Sequence, residues 1–333
     1  MGARRGLRPC LVLLVVLAGG CVFPAAGLAH GPVAPVATSY LGRVRQAPAG
    51  VDARVVNGYL WLWLRVVPSQ ELVVLDYRGA PYVRFVRAGV FVNENSDMYY
   101  LNQIPPELPP RGLTPSTAPR WHKLSDEHEY AWHDGRIGAL ATTVIPPGTS
   151  YVGSWSIAAR VDGRLTRISG GLWHARSPSL VWFWPIFVLV ACVLAAWRLR
   201  DASLDRRVTR TLAVVVLIAI AVGGAARQLY GRPSVPLFQF VLVGILVAFA
   251  VWGISRTLLD RSGFILHIAI AGVAFWIGLE LLPTLLHGYV LTAGPPVAAR
   301  AAAVLCLGGC IALLPLAIRG ALDERDEPLA AAS

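Results

Sequence analysis

Charge is scarce in this sequence. Asp, Glu, Lys and Arg together make up 15% of its 333 residues, against about 25% in an ordinary soluble domain. Lysine is almost missing: Lys123 is the single example, so the basic side of the +11 net charge is arginine. Cysteine is limited to Cys10, Cys21, Cys192, Cys306 and Cys310, with none between 30 and 178. That region therefore has no internal disulfide and must stand on an apolar core, for which about 150 residues suffice. Also missing are the short signatures of hydrolases and nucleotide enzymes: there is no G-x-S-x-G, no H-E-x-x-H and no P-loop. Ser125, Asp126 and His128 lie close in sequence, but a local cluster on a turn does not make a triad. No nucleophile–base pair can be argued, so the sequence points away from an enzyme.

Hydrophobic residues make up 55% of the chain. Arg4, Arg5 and Arg8, then an apolar run from Cys10 to Phe23, then Pro-Ala-Ala-Gly-Leu-Ala, follow the layout of a secretory signal peptide. Cleavage after Ala29 would start the mature chain at His30. An uncleaved anchor and a lipid-modified Cys21 are the alternatives. Five later stretches reach bilayer-spanning length: Leu180–Trp197, Thr211–Ala226, Leu237–Ile254, Phe264–Leu286 and Val297–Ile318. Arginines orient them. Arg198, Arg200, Arg206, Arg207 and Arg210 follow the first span, Arg256 and Arg261 the third, and Arg319 and Arg325 the fifth. By the positive-inside rule these ends are cytoplasmic. The opposite loops hold only Arg227, Arg232 and Arg300. The expected organisation is a signal peptide (1–29), an extracytoplasmic domain (30–178), a transmembrane bundle (179–319) and a cytoplasmic tail (320–333) in the cell membrane. The partners implied are the lipid bilayer and either a membrane protein or a second copy. The positive charge does not imply nucleic acid: between 30 and 178 fifteen basic residues face eleven acidic ones.

The exported region alternates as strands do. Tyr59–Val67, Glu71–Asp76, Tyr82–Val86 and Gly89–Val92 are rich in β-formers, and Asn57-Gly58 and Asp162-Gly163 are turn signals. Tyr151–Arg160 and Leu165–Leu172 read as a hairpin about the second turn. The proline-rich 102–120 reads as a long ordered loop. The fold class expected is an antiparallel, immunoglobulin-like β-sandwich followed by a helical transmembrane bundle.

Three runs carry a resemblance: Asn93-Glu-Asn-Ser-Asp-Met-Tyr-Tyr-Leu-Asn102, Pro119-Arg-Trp-His-Lys-Leu-Ser125 and Tyr130-Ala-Trp-His-Asp-Gly-Arg-Ile137. With Trp155, Val161-Asp-Gly163 and Gly170-Gly-Leu-Trp173, they resemble a family of exported, membrane-anchored actinobacterial proteins marked by Trp-His-Asp-His-Arg. The similarity covers about 50–175. Gly135 stands where that family has its second histidine. The chain is also distantly similar to copper-resistance C-type β-sandwich proteins, whose mature chains begin with histidine.

Two sets of residues are candidates for chemistry. An amino-terminal His30 offers an amine and an imidazole to one metal, with His133 as a third ligand and Asp134 either as a ligand or as a hydrogen-bond partner to one, a donor set that suits Cu(II). The alternative is that Trp132-His-Asp-Gly-Arg136 is structural, with Trp132 in the core, Asp134 paired with Arg136 or capping a turn, and His133 bonded to backbone. Within the membrane, Glu280 is an ionisable group inside an apolar span. His287 lies seven residues on, and Cys306 and Cys310 share a face of the last span, so these four could line one polar pocket. Alternatively, Glu280 pairs with Arg300 or Arg227 and the cysteines only pack. The sequence thus favours a non-enzymatic membrane protein with a ligand- or metal-binding β-domain, ahead of copper handling and an accessory subunit.

Overall fold

A computed structural model describes residues 35–142, 149–199, 202–230 and 235–330. The proposed signal peptide and His30 lie outside the described residues. The chain divides into two compact units, with the break between Arg176 and Ser177.

The first unit is built from antiparallel strands: β1 (Tyr40–Gln46), β2 (Val51–Val56), β3 (Trp61–Val66), β4 (Leu72–Leu75), β5 (Pro81–Val86), β6 (Gly89–Asn93), β7 (Trp121–Ser125), β8 (Glu129–His133), β9 (Tyr151–Val161) and β10 (Arg164–His174). They form a seven-stranded sheet, ordered β1-β10-β9-β4-β5-β6-β7, and a three-stranded sheet, β2-β3-β8. The expected hairpin is β9–β10. Val161 pairs with Arg164, and Asp162 and Gly163 hold the turn at φ 48° and 78°, as a two-residue hairpin loop requires. Alternation drives the packing. Leu62, Leu64 and Val66 of β3 turn inward, as do Val83 and Phe85 of β5 and Ile157 and Ala159 of β9, and both sheets share one core. Two short helices, α1 (Asp97–Leu101) and α2 (Gly135–Gly138), sit at strand ends. The stretch 102–120 forms no strand or helix.

The second unit is helical: α3 (Trp184–Leu199), α4 (Ala202–Gln228), α5 (Leu237–Leu258), α6 (Phe264–Leu281), α7 (Pro283–Leu286) and α8 (Pro296–Ala330). Among the described residues four helices are long and apolar enough to cross a membrane: Ser203–Gln228, Leu237–Leu258, Phe264–Leu281 and Pro296–Arg319. The stretch expected as the first span is apolar but shorter, a 3₁₀ turn at Leu180–Phe183 leading into α3. The span expected over 211–226 extends back to Ala202. Small residues let the helices approach, as membrane packing without a hydrophobic drive requires. A Cβ on Gly309 would lie 2.2 Å from Val216, and one on Gly278 2.8 Å from Leu307. The span expected over 264–286 is not one regular helix. Proline has no N–H, and its ring collides with the carbonyl four residues back, so α6 stops at Leu281 and Pro283 opens α7.

Candidate functional site

The three runs behind the family resemblance converge on one polar hub in the β-unit. It begins where β4 ends, at Asp76. One oxygen, Oδ1, accepts the backbone N–H groups of Arg78 and Ala80, both at 2.9 Å, and closes a tight turn. The other, Oδ2, accepts the Ser96 hydroxyl at 2.8 Å. Ser96 is the N-cap of α1 and accepts from the Met98 N–H at 3.3 Å. Such a cap satisfies a donor that the helix cannot. Asp97, in the first turn, pairs with Arg78 at 2.6 Å.

Asn93 ties the neighbouring strands together. Its amide donates to the Pro81 carbonyl at 2.7 Å, and its Oδ1 accepts from the Asn95 and Arg120 N–H groups. At the far end of α1, Asn102 accepts from the His133 N–H at 2.8 Å and donates to the carbonyls of His133 and Met98. The α1 segment therefore stitches β8 of the small sheet to β4 and β6 of the large one.

The Trp-His-Asp-Gly-Arg segment locks the hub. Trp132 fills the core and donates its indole N–H to Asp134 at 3.0 Å. Asp134 is 0% exposed. It also accepts three bonds from Arg136: the backbone N–H at 3.1 Å, Nε at 2.8 Å and Nη2 at 2.7 Å. Arg136 then reaches the other sheet, donating from Nη1 to the carbonyls of Leu75 and Asp76. Its guanidinium lies 5.1 Å from the Tyr77 ring centre, while the Tyr77 hydroxyl accepts the Gly135 N–H at 2.9 Å. Gly135 suits this contact, because a Cβ there would lie 3.1 Å from the Tyr77 oxygen.

This arrangement separates the predicted metal residues. The Asp134 carboxylate is enclosed and takes four donors from the fold. The His133 side chain is exposed, alternating outward from Trp132, and its backbone is held by Asn102. Adjacent in sequence, the two residues serve opposite sides of the strand. His122 sits 3.8 Å from Glu94, which Arg120 pairs at 2.7 Å. Among the described residues no three His, Cys, Asp or Glu side chains gather as a metal set.

Sequence reading did not anticipate the aromatic wall beside the hub. The Tyr130 ring stacks on Trp132 and the Tyr82 ring meets it edge-on, each at 6.0 Å. Burial pushes the Tyr82 hydroxyl well above the usual tyrosine range, helped by the neighbouring Tyr130. Burial also raises Tyr130. Tyr77 is raised by burial and by the charge of Asp134, against the Gly135 N–H and Arg136. In the unfolded chain these phenols ionise near about pH 10. Their contribution to stability is therefore whole below that pH and is lost as pH rises from there through the folded values. The melting temperature of the purified protein is expected to fall steeply above about pH 10, and Tyr82→Phe should flatten the fall. An unaltered alkaline limb in that variant would contradict the assignment.

An open groove of about 810 Å³ lies elsewhere on the small sheet, lined by residues including Asp52, Arg65, Glu127, His128 and Glu129. His128 Nε2 is buried there without a hydrogen-bond partner. The groove is shallow, and the hub does not open into it.

In the helical unit the four residues expected to line one pocket have different surroundings. Glu280 Oε2 faces Arg227 Nε of α4 at 4.0 Å. Arg300 instead caps a helix end, donating to the carbonyls of Thr284, His287 and Gly288. His287 is not on a continuous helical face with Glu280. It follows α7 in extended backbone, φ −116° and ψ 151°, because the regular helix stops before Pro283. Cys306 is buried in the apolar core and Cys310 is half-buried against it; both are free thiols. His267, near the start of α6, is buried with Nε2 unpartnered.

No known protein family, curated protein or solved structure matches this chain.

Proposed function

We propose that the protein is a multi-pass membrane protein of the cell envelope whose exported β-unit is a non-catalytic binding domain. The hub carries this reading. The residues that make the sequence distinctive spend their donors and acceptors on joining two sheets, with Asp134 sealed by four bonds. Such a hub holds a platform in one shape and leaves the outer strand faces to meet a ligand. Orientation rests on the arginines near the ends of α3, α5 and α8, which place those ends in the cytoplasm. A reporter fused after Ser203 or at the C-terminus is expected to be cytoplasmic, and one inserted near Ser234 exported. The opposite pattern would overturn the orientation and, with it, the exported domain.

Copper handling is the narrower form of the same reading. It requires the His30 amine and the exposed His133 imidazole to share a metal, with the Asp134 carboxylate excluded by its burial. The metal content of the purified protein separates this form from the binding of another ligand. One observation favours an accessory role as a second reading. Only 11% of the apolar window of α5 is buried, against 44–56% in the other three long helices. That helix is free to meet lipid or a partner's helix, and co-purification in mild detergent distinguishes these.

A further inference from the structure

No strand of the large sheet contains Asp or Glu, but on three of the seven the arginines also go, among the described residues, without a carboxylate partner. Strands β1, β9 and β10 contain Arg43, Arg45, Arg160, Arg164 and Arg167 and no Asp or Glu. All five are exposed. Elsewhere in the unit Arg54, Arg65, Arg78, Arg84, Arg120 and Arg136 each hold a carboxylate. Among the described residues none of the five does. The nearest acid in sequence, Asp162, sits in the β9–β10 turn and accepts the Glu71 N–H.

At one end of this face the charge is built onto an aromatic floor. Inward residues of β10 are Ile168, Gly170 and Leu172, so Arg167, Ser169, Gly171 and Trp173 point outward. Gly171 pairs with Arg43, and Trp173 with Tyr151. The two rings meet at 5.4 Å and lie over Gly171, where a Cβ would come within 2.9 Å of both. Arg45 stacks 4.8 Å from the Tyr151 centre and 5.0 Å from Trp173, and Arg43 lies 5.5 Å from Trp173. Stacking orients a guanidinium while leaving its N–H fork free for an anion. The small sheet offers a comparison. Trp63 is also covered by two arginines, Arg54 and Arg65, but Asp52 and Glu129 neutralise both.

We infer that the Arg43–Arg45–Tyr151–Trp173 face binds the phosphate headgroups of anionic phospholipids. The charge is complementary, and Trp and Tyr are the side chains that sit at headgroup level. Chain length agrees: only residues 174–179 separate Trp173 from Leu180, where the apolar stretch begins. Fully extended, that connection covers only about 20–25 Å. Membrane-proximal arginines each add roughly fivefold to binding of an anionic surface, so the inference requires anionic lipid in the leaflet that the β-unit faces.

The test titrates the full-length protein in detergent with phosphatidylglycerol, phosphatidylcholine and inorganic phosphate, read by native mass spectrometry. Wild type is expected to prefer phosphatidylglycerol. Arg43→Gln/Arg45→Gln should weaken that binding about 25-fold, the product of two such factors. Arg87→Gln/Arg111→Gln, an equal charge loss outside these strands, should leave it unchanged. If the first double variant does not fold, added salt serves instead, and must weaken phosphatidylglycerol binding to wild type. Equal binding of both lipids, equal loss in both variants, no effect of salt, or phosphate binding with the same arginine dependence would each overturn the inference.

Discussion

Replacing Asp134 with alanine is expected to destabilise the β-unit by about 3–5 kcal/mol, the usual cost of breaking a buried ion pair from one side. The change deletes no large volume. Its cost comes from what is left behind: the Trp132 indole N–H in the core, the Arg136 backbone N–H, and a guanidinium whose side chain is only 17% exposed. A loss of this size corresponds to a fall in melting temperature on the order of 10–20 °C for a unit of this length. Asn at the same position keeps an acceptor for the indole and for the cap, and should cost less. Arg136→Met removes the stranded cation, so Asp134→Ala/Arg136→Met should cost less than the sum of the two single changes. Near-ultraviolet circular dichroism of the detergent-purified protein, which reports tryptophan packing, follows all four variants. Wild-type melting in Asp134→Ala would mean that the carboxylate is not structural, and would return it to the metal-ligand set with His133.

The second large effect is expected in the helical unit. Arg227→Ala leaves Glu280 with no cation beside Oε2, which has no hydrogen bond among the described residues, and with the Trp276 side chain as its remaining polar partner. Glu280 is the next-to-last residue of α6, so the cost should lie below the about 2.5–3.5 kcal/mol that insertion scales give a charge at the centre of a spanning helix. Glu280→Gln removes the acid while leaving the arginine able to reorient its long stem, so it should be milder. The double variant should recover much of the loss seen in Arg227→Ala. Arg300→Ala should also destabilise, but independently of Glu280, since its guanidinium serves the carbonyls at the end of α7. Thermal aggregation in detergent measures each variant. Coupling of Glu280 to Arg300 rather than to Arg227 would refute the pairing.

The features legible in the sequence were those that local chemistry dictates. Apolar runs of bilayer length became helices because a backbone in lipid must satisfy its own hydrogen bonds. Asp162-Gly163 became a two-residue turn because both residues tolerate positive φ, and the flanking alternation set the hairpin's faces. Ser96-Asp97, a capping residue followed by an acid in the first turn, is likewise a local N-cap pattern for α1. The bonds within Trp132-His-Asp-Gly-Arg136 were also partly readable, since Asp134 and Arg136 are two residues apart and one caps the turn holding the other.

Contacts between distant residues were not legible. Nothing in the order of residues says that Arg136 reaches the carbonyl of Leu75, that Ser96 bonds Asp76, or that Arg227 and not Arg300 lies nearest Glu280. The helical repeat placed His287 under Glu280, and only the break at Pro283 takes it away. The sequence alone determined an apolar helical part, a strand-rich part, and the residue types at each surface. Tertiary structure decided which strands are neighbours, and so which arginines find carboxylates. Arg54 and Arg65 meet Asp52 and Glu129, whereas among the described residues Arg43 and Arg45 meet rings and no carboxylate. A side chain's charge is written in its chemistry, but whether that charge is spent inside the fold or presented outside depends on partners that the chain brings close only by folding.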